Sequence, residues 1–316
     1  MIRVRFFSGL AAGSIFILAA TPASANLVIN PTWDTTITSD PNSATIMSTI
    51  NSAIGFYNAT FSDNIVVEIT FKEMASGLGA STTGIFRPSY NSYRLALGLD
   101  ATTAADAVAL AHLPIQTNDP VTGIHANMIL SRANARALGG TTTPGTDGSV
   151  MLNTSICNLD RTSTNPNKYD LYAVTCHEID EVLGTGSWID GPLIGDAAVR
   201  AMDLFRYDSA GNRSFTNNTS AHAFFSLDGT TDIVEFNQSG VGDWGDWIHH
   251  ATPQVQDFSG TPGVPYNMGY SEITALDVIG YNAVPEPTSC AVMGLGVVAL
   301  IRRRKRSKGG SSRQNS

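Results

Sequence analysis

Basic residues are scarce in the body of this 316-residue chain. Of its 19 lysines and arginines, nine lie in residues 1–25 and 302–316. Residues 26–282 keep 10 basic residues against 26 acidic ones, which is a formal charge of −16. A surface of this sign repels nucleic acid and anionic membranes, so nucleic-acid binding is excluded. The chain also shows no internal repeat, which excludes a solenoid.

Residues 1–25 have the three parts of a secretory signal peptide. Arg3 and Arg5 supply a basic start, residues 6–20 are apolar, and Ala23-Ser24-Ala25 forms a cleavage site of small residues. We therefore expect export and cleavage before Asn26. A retained signal anchor is the alternative.

Cysteine is almost as scarce. Of the three cysteines, only Cys157 and Cys176 lie in the body of the chain, so that part can form at most one internal disulfide. We expect this bridge, because exported proteins keep disulfides. Closing a loop of about 20 residues would add about 3 kcal/mol of stability. Two buried free thiols are the alternative.

The C-terminal end has only a short apolar run. Val284-Pro285-Glu286-Pro287 precedes an apolar run over residues 290–301 and a basic cluster over residues 302–306. A permanent span needs about 17–25 apolar residues. The order of these parts closely resembles the PEP-CTERM sorting tail of Gram-negative bacteria, here residues 283–307, with residues 308–316 as a disordered tail.

That resemblance implies transient membrane anchoring and processing by an exosortase. It also implies delivery to the cell surface, the outer membrane or the extracellular matrix. A simple C-terminal membrane anchor is the alternative.

Between the two ends, helical and strand periodicities alternate along one domain, residues 26–282. Apolar spacing predicts helices over residues 41–60, 92–113 in two pieces, 169–183 and 271–279. Alternation and short apolar runs predict strands over 64–72, 127–131 and 149–153, and composition predicts a loop over 77–91. We predict an α+β fold: a mixed sheet, an active-site helix and an irregular C-terminal lobe, with a cleft between two lobes.

The sequence His177-Glu178-Ile179-Asp180-Glu181 lies on the predicted helix 169–183. A zinc-protease helix carries H-E-x-x-H, with two imidazoles on one face and a glutamate as general base. Here Glu181 replaces the second imidazole. Zinc accepts carboxylate oxygen as well as imidazole nitrogen, so His177 and Glu181 are predicted metal ligands and Glu178 the base. A solvated acidic face on a surface helix is the alternative.

Gly184 completes the frame H-E-x-x-E-x-x-G, which resembles the metzincin clan of zinc proteases. In that clan a third ligand follows three residues after the glycine, but this position is Ser187, a poor zinc ligand. Three aspartates further along the chain remain as candidates: Asp190, Asp196 and Asp203. We favour Asp203, because an aspartate inside an apolar segment requires a partner. A salt bridge to Arg206 or a turn cap is the alternative.

The body as a whole resembles the metalloproteases that carry PEP-CTERM tails. Six segments carry the resemblance: residues 29–33, 68–71, 177–184, 203–207, 224–229 and 242–247. It implies a metzincin-like fold and a zinc-dependent endopeptidase that acts on a peptide or protein substrate. A catalytically silent surface or matrix protein, used for binding or adhesion on the same fold, is the alternative.

Two acidic loops indicate a second kind of ion. Residues 228–232 and 243–246 combine closely spaced carboxylates with glycine turns, a composition that suits calcium. Ordinary aspartate–glycine turn chemistry is the alternative. If calcium binds, a calcium-stabilised binding module becomes a further functional class.

Overall fold

The computed structural model describes residues 26–115, 127–191 and 197–284. The predicted signal peptide, all but the first two residues of the predicted sorting tail, the tail after it and Asp196 lie outside the described residues.

Twelve strands occur in the described residues. They are β1 (Val28–Trp33), β2 (Val66–Glu73), β3 (Gly79–Thr83), β4 (Ile85–Phe86), β5 (Asn127–Ser131), β6 (Gly148–Leu152), β7 (Cys157–Asn158), β8 (Tyr169–Asp170), β9 (Ala197–Arg200), β10 (Arg206–Tyr207), β11 (Phe224–Phe225) and β12 (Val234–Glu235).

Seven α-helices occur in the same residues. They are α1 (Thr35–Thr38), α2 (Ser43–Thr60), α3 (Tyr90–Asp100), α4 (Ala104–His112), α5 (Arg132–Ala137), α6 (Leu171–Leu183) and α7 (Tyr270–Gly280). Short 3-10 turns cover Thr154–Ile156 and Met202–Phe205.

The largest sheet has the order β1-β2-β6-β3. Strands β1, β2 and β6 run parallel, whereas β3 pairs antiparallel with β6 at the edge. Alternate residues of β2, namely Val67, Ile69 and Phe71, are fully buried, which is the predicted period of two. Helices α2 and α6 pack against this sheet and against each other.

The predicted loop over residues 77–91 is wrong in part, because it contains β3, β4 and the start of α3. Strand β3 has no buried apolar alternation; its residues are glycine, alanine, serine and threonine. Its structure comes from the backbone hydrogen bonds to β6. The other predicted strands and helices are found within a few residues of their expected bounds.

Helix α6 is held from both sides. The phenol of Tyr57, on α2, donates to the Asp180 carboxylate at 2.6 Å and lies 2.8 Å from the carbonyl oxygen of Cys176. The helix ends at Gly184, whose φ of +136° belongs to the region that favours glycine. This turn sends the chain back beneath the C-terminal part of the molecule.

The C-terminal part is irregular between Tyr207 and α7, with only β11 and β12 as regular elements of this described stretch. An aromatic cluster takes the place of long helices and strands in this part. Trp247 is fully buried, stacked on Phe225 at 5.6 Å and edge-on to Phe236 at 5.0 Å between ring centroids. This cluster fixes the loop on either side of Trp247.

The last described residues are tied to the body. Ala283 forms a bridge with Phe61, the Val284 amide donates to the Thr60 carbonyl at 2.8 Å, and the Ala283 amide donates to Asp277 at 3.2 Å. The α+β class and the mixed sheet are confirmed. Among the described helices, none is both long enough and apolar enough to cross a membrane.

Candidate metal centre

Helix α6 presents His177 and Glu181 on one face. They lie one turn apart, and His177 Nε2 is 3.9 Å from Glu181 Oε1. Ser81, on the edge strand β3, donates from its hydroxyl to Glu181 Oε2 at 2.6 Å. That hydrogen bond fixes the Glu181 carboxylate while leaving Oε1 directed at the imidazole.

The third member of the group is Asp246. Its Oδ1 lies 3.7 Å from His177 Nε2, and the carboxylate is buried. Ligand atoms of His177, Glu181 and Asp246 all lie within 4.8 Å of one another, and we call these three residues the metal cluster. Sequence reasoning missed Asp246 as a zinc ligand and placed it in a calcium loop, because the loop reaches α6 only in three dimensions.

A close backbone approach delivers Asp246. A Cβ atom on Gly245 would lie 2.8 Å from the Ser187 amide nitrogen and 2.8 Å from the Thr185 carbonyl oxygen. Only glycine fits between these two loops. The turn at Gly184 and the absent side chain at Gly245 therefore act together to bring the carboxylate of Asp246 to the helix.

The orientation of His177 is set by its other ring nitrogen. Nδ1 lies 2.8 Å from the carbonyl oxygen of Val255. A carbonyl only accepts, so Nδ1 carries a proton and Nε2 is the ring nitrogen that faces the cluster, as in metal-binding histidines. The side-chain amide of Gln256 supports this turn of helix α6. It donates to the His177 carbonyl at 3.1 Å and to the Asp180 carboxylate at 3.3 Å.

Negative charge dominates the cluster. Burial lowers the pKa of His177, but the carboxylates of Asp246, Glu178 and Glu181 outweigh it and raise that pKa to about 10. Burial, reinforced by neighbouring carboxylates, also raises the pKa of Glu181 and of Asp246. Two buried carboxylates and the half-buried Glu181 surround one imidazole, and a divalent cation would compensate their negative charge.

The donor set fits zinc. Imidazole nitrogen and carboxylate oxygen are both zinc ligands, and catalytic zinc sites use three protein ligands with one open position. Ligand atoms about 2.0–2.1 Å from a tetrahedral ion lie about 3.3 Å apart. The separations of 3.7 and 3.9 Å from Nε2 thus need an approach of only about half an ångström.

Glu178 lies beside the cluster, against the edge strand. A Cβ on Gly79 would be 2.2 Å from Glu178 Oε1, so the strand accommodates this carboxylate only because it has glycine there. Oε2 of Glu178 is buried and has no hydrogen-bond partner among the described residues. Burial raises the pKa of Glu178 to about 9, with His177 opposing the shift and Glu181 and Asp246 adding to it.

These groups open into a cavity of about 800 Å³. The lining includes strand β3, residues 186–188 with Arg200, and part of the segment 255–260 with Tyr266. All three members of the metal cluster and Glu178 also line this cavity.

The structure does not bring Asp203 to the metal cluster, contrary to the sequence expectation. Its buried carboxylate accepts hydrogen bonds from the Ser187 hydroxyl, the Trp188 amide at 3.0 Å and the Arg200 amide at 2.8 Å. A hydroxyl and two backbone amides thus supply the partners that a buried aspartate requires. Asp203 holds the loop after Gly184 in place.

The two alternatives to Asp203 are also placed elsewhere. Asp190 is exposed and accepts a hydrogen bond from Asn217 at 2.9 Å, and Asp196 lies outside the described residues. No local sequence signal singles out Asp246, because Asp243-Trp244 and Asp246-Trp247 are the same pair of residues and only Trp247 is fully buried.

The expected disulfide is absent. Cys157 and Cys176 are free, buried thiols. Cys176 lies in the middle of α6, fully buried next to the hydroxyls of Tyr57 and Tyr172, and burial raises its pKa well above the ordinary value. Cys157 instead belongs to β7, which pairs with β8 ahead of the helix.

The two acidic loops proposed for calcium differ in structure. Asp228 accepts from the amides of Thr230 at 2.7 Å and Thr231 at 2.9 Å, and these bonds lower its pKa to about 2. These are the hydrogen bonds of an ordinary aspartate turn. In the other loop, Asp246 belongs to the metal cluster and Asp243 lines the same cavity. Calcium binding stays a prediction.

Comparison with known proteins identifies the C-terminal end. Residues 283–306 match the family described as the PEP-CTERM protein-sorting motif, as the sequence predicted. The motif marks the protein as exported and sorted to the cell surface, with exosortase processing of its tail. No curated protein and no solved structure matches this chain.

Proposed function

We propose that this chain is a surface-sorted, zinc-dependent endopeptidase whose zinc ligands are His177 Nε2, Glu181 and Asp246. The observation that carries the proposal is the metal cluster itself, three convergent ligand atoms beside a buried glutamate whose Oε2 has no hydrogen-bond partner among the described residues. Asp246 takes the role that the sequence assigned to Asp203.

Zinc, when bound, acts as a Lewis acid and makes a water molecule nucleophilic at neutral pH. Glu178 is the group positioned to accept the proton of the attacking water and to pass it to the leaving amine. Its free Oε2 faces no competing donor among the described residues, which suits a group that exchanges protons. The negative charges that raise its pKa are those that a cation in the cluster would compensate.

A peptide substrate suits the free edge of β3. Among the described strands, this one pairs only with β6, so its other side offers backbone groups to an extended chain. The same strand lines the cavity and contacts Glu181 through Ser81. A peptide added to this edge would pass directly over the metal cluster, which favours hydrolysis within a chain.

A metzincin-like arrangement is part of the proposal. Its support is the glycine-terminated helix α6, packed under a mixed sheet whose antiparallel edge strand borders the cavity. The clan's third histidine position is Ser187, which here binds Asp203. The third ligand comes instead from the C-terminal part of the chain.

Metal analysis and one matched pair of variants test the proposal. The purified full chain should contain one zinc ion, and Glu178→Gln should keep that zinc while losing nearly all cleavage of a random peptide library read by mass spectrometry. Glu235→Gln is the control, because Glu235 contacts His222 outside the cavity. A chain that holds no zinc overturns the proposal. A zinc-loaded chain that cleaves no peptide supports instead a catalytically silent binding or adhesion protein.

A further inference from the structure

Arg200, the last residue of β9, is the one lysine or arginine among the described residues that line the cavity. Its guanidinium carbon lies 5.3 Å from the centroid of the Trp188 ring. Nη1 would lie 3.1 Å from a Cβ atom on Gly186, so the side chain runs along the loop that follows α6. Arg200 is therefore held against the loop that follows α6, in the lining of the cavity.

Among the described residues, no carboxylate forms an ion pair with this guanidinium. Its Nε is buried without a hydrogen-bond partner, and no carboxylate of a described residue lies within 4.0 Å of it. Burial lowers the pKa of Arg200, while Asp203, Glu181 and Asp243 act in the opposite direction. A buried arginine without an ion pair is rare, because charged groups are desolvated at a cost of several kcal/mol, by rough estimate, unless a partner compensates them.

Two of the three nearest acidic groups are committed elsewhere. Asp203 binds Ser187 and two backbone amides, and Glu181 binds Ser81 and faces His177. The third, Asp243, lines the cavity but is exposed, so water screens its attraction to Arg200. With a divalent cation in the metal cluster, the charges of Glu181 and Asp246 are balanced, which leaves Arg200 free to attract an anion from outside.

We propose that Arg200 is a specificity-determining residue that binds the side-chain carboxylate of an acidic substrate residue next to the scissile bond. This inference rests on the proposed peptidase function and names its substrate class: peptides with glutamate or aspartate at one defined position. A planar guanidinium recognises a carboxylate through two parallel hydrogen bonds, and lysine reproduces only the charge.

Binding of matched peptides tests this role without relying on turnover. The protein is the zinc-loaded full chain carrying Glu178→Gln, which leaves bound peptides uncut. The probes are end-capped octapeptides with no other charged residue. Each peptide of the series has one glutamate at a different position, and each is compared with the same peptide that has glutamine there. Binding is measured by fluorescence polarisation, and zinc content and circular dichroism confirm that each variant is folded.

At one position, glutamate should bind about tenfold more tightly than glutamine. Adding Arg200→Gln should reduce this ratio to about one, and Arg200→Lys should retain part of it. Lys72→Gln is the control, since it removes one positive charge on β2 outside the cavity and should leave the ratio unchanged.

Equal binding of glutamate and glutamine at every position would overturn the role of Arg200. So would a preference that survives Arg200→Gln, or the absence of binding by every octapeptide. The proposed function is judged separately by cleavage with Glu178 intact. A chain that cuts the random library but ignores the acidic residue refutes the Arg200 inference alone.

Discussion

The imidazole of His177 is positioned by the main chain of Val255, whose carbonyl oxygen lies 2.8 Å from Nδ1. The residues after Val255 continue this support, because Gln256 donates to the carbonyl of His177 and to Asp180. The C-terminal part thus orients the helix motif as well as supplying Asp246.

Gln256→Leu should weaken zinc binding by about tenfold, since groups that orient metal ligands contribute about 10–100-fold to affinity. The leucine removes both donors and leaves Tyr57 as the hydroxyl partner of Asp180. Zinc affinity is measured by competition with a chelator. Gln254→Leu is the control, because Gln254 contacts Ser271 and not His177. Equal affinities for the two variants would contradict the prediction.

Two variants, Asp246→Asn and Asp203→Asn, should show which aspartate binds zinc and which one holds the loop after Gly184. Asp246→Asn removes a charged ligand atom and should lower zinc affinity at least about tenfold. Asp203→Asn disturbs hydrogen bonds to Ser187 and Trp188 and should cost about 1–3 kcal/mol of stability while the folded fraction still binds zinc. Zinc content and thermal unfolding are measured on both. Loss of zinc from the folded Asp203 variant alone would reverse the assignment.

Gly245→Ala should lower both stability and zinc affinity. Its new methyl group would meet backbone atoms of Thr185 and Ser187 at 2.8 Å, so one of the two loops must move. Overpacking of this kind costs about 1–3 kcal/mol. Gly55→Ala on α2 provides the comparison, because its Cβ would meet nothing within 4 Å and alanine favours the helix. A Gly245 variant that matches wild type in Tm and zinc content would disprove the close approach.

Stability should fall as pH rises from about 4 to 7, in part through Asp277. Burial raises the pKa of Asp277 to about 7, with Thr103 and Ala283 opposing through hydrogen bonds and Asp106 and Asp63 adding negative charge. The folded state therefore holds a proton that the unfolded state releases near its ordinary pKa, and the contribution is lost as pH rises through the folded value.

Asp277→Asn should flatten this dependence, by at most about 1.4 kcal/mol per pH unit. Urea unfolding at several pH values gives the slope. Asp228→Asn is the control with the opposite sign, because its pKa is lowered. An unchanged slope in the Asp277 variant would remove Asp277 as the cause.

The sequence predicts the parts of the site that depend on local spacing. His177, Glu178 and Glu181 share a helix whose periodicity and terminal glycine are visible in the chain, and the structure places them together. Asp203 was chosen because a buried aspartate needs partners. The sequence could not show that a hydroxyl and two amides, rather than an ion, supply them.

The remaining parts depend on contacts between distant segments. Strand β3 has no apolar period and exists through its pairing with β6, so composition predicted a loop. Asp246 reaches the cluster because Gly245 allows one backbone to lie against another. Neither relationship leaves a periodic signal in the residues involved. The sequence gives no signal for Arg200 either, because only the folded chain places this residue in the lining of the cavity.

The bridge between Ala283 and Phe61 has a mechanical consequence. The sorting motif begins at residue 283, so its first two residues are part of the folded body, tied to the end of α2 and to Asp277. Tension on the tail during sorting would load these hydrogen bonds first, in a region apart from the metal cluster. The attachment point would then yield before the metal cluster is disturbed.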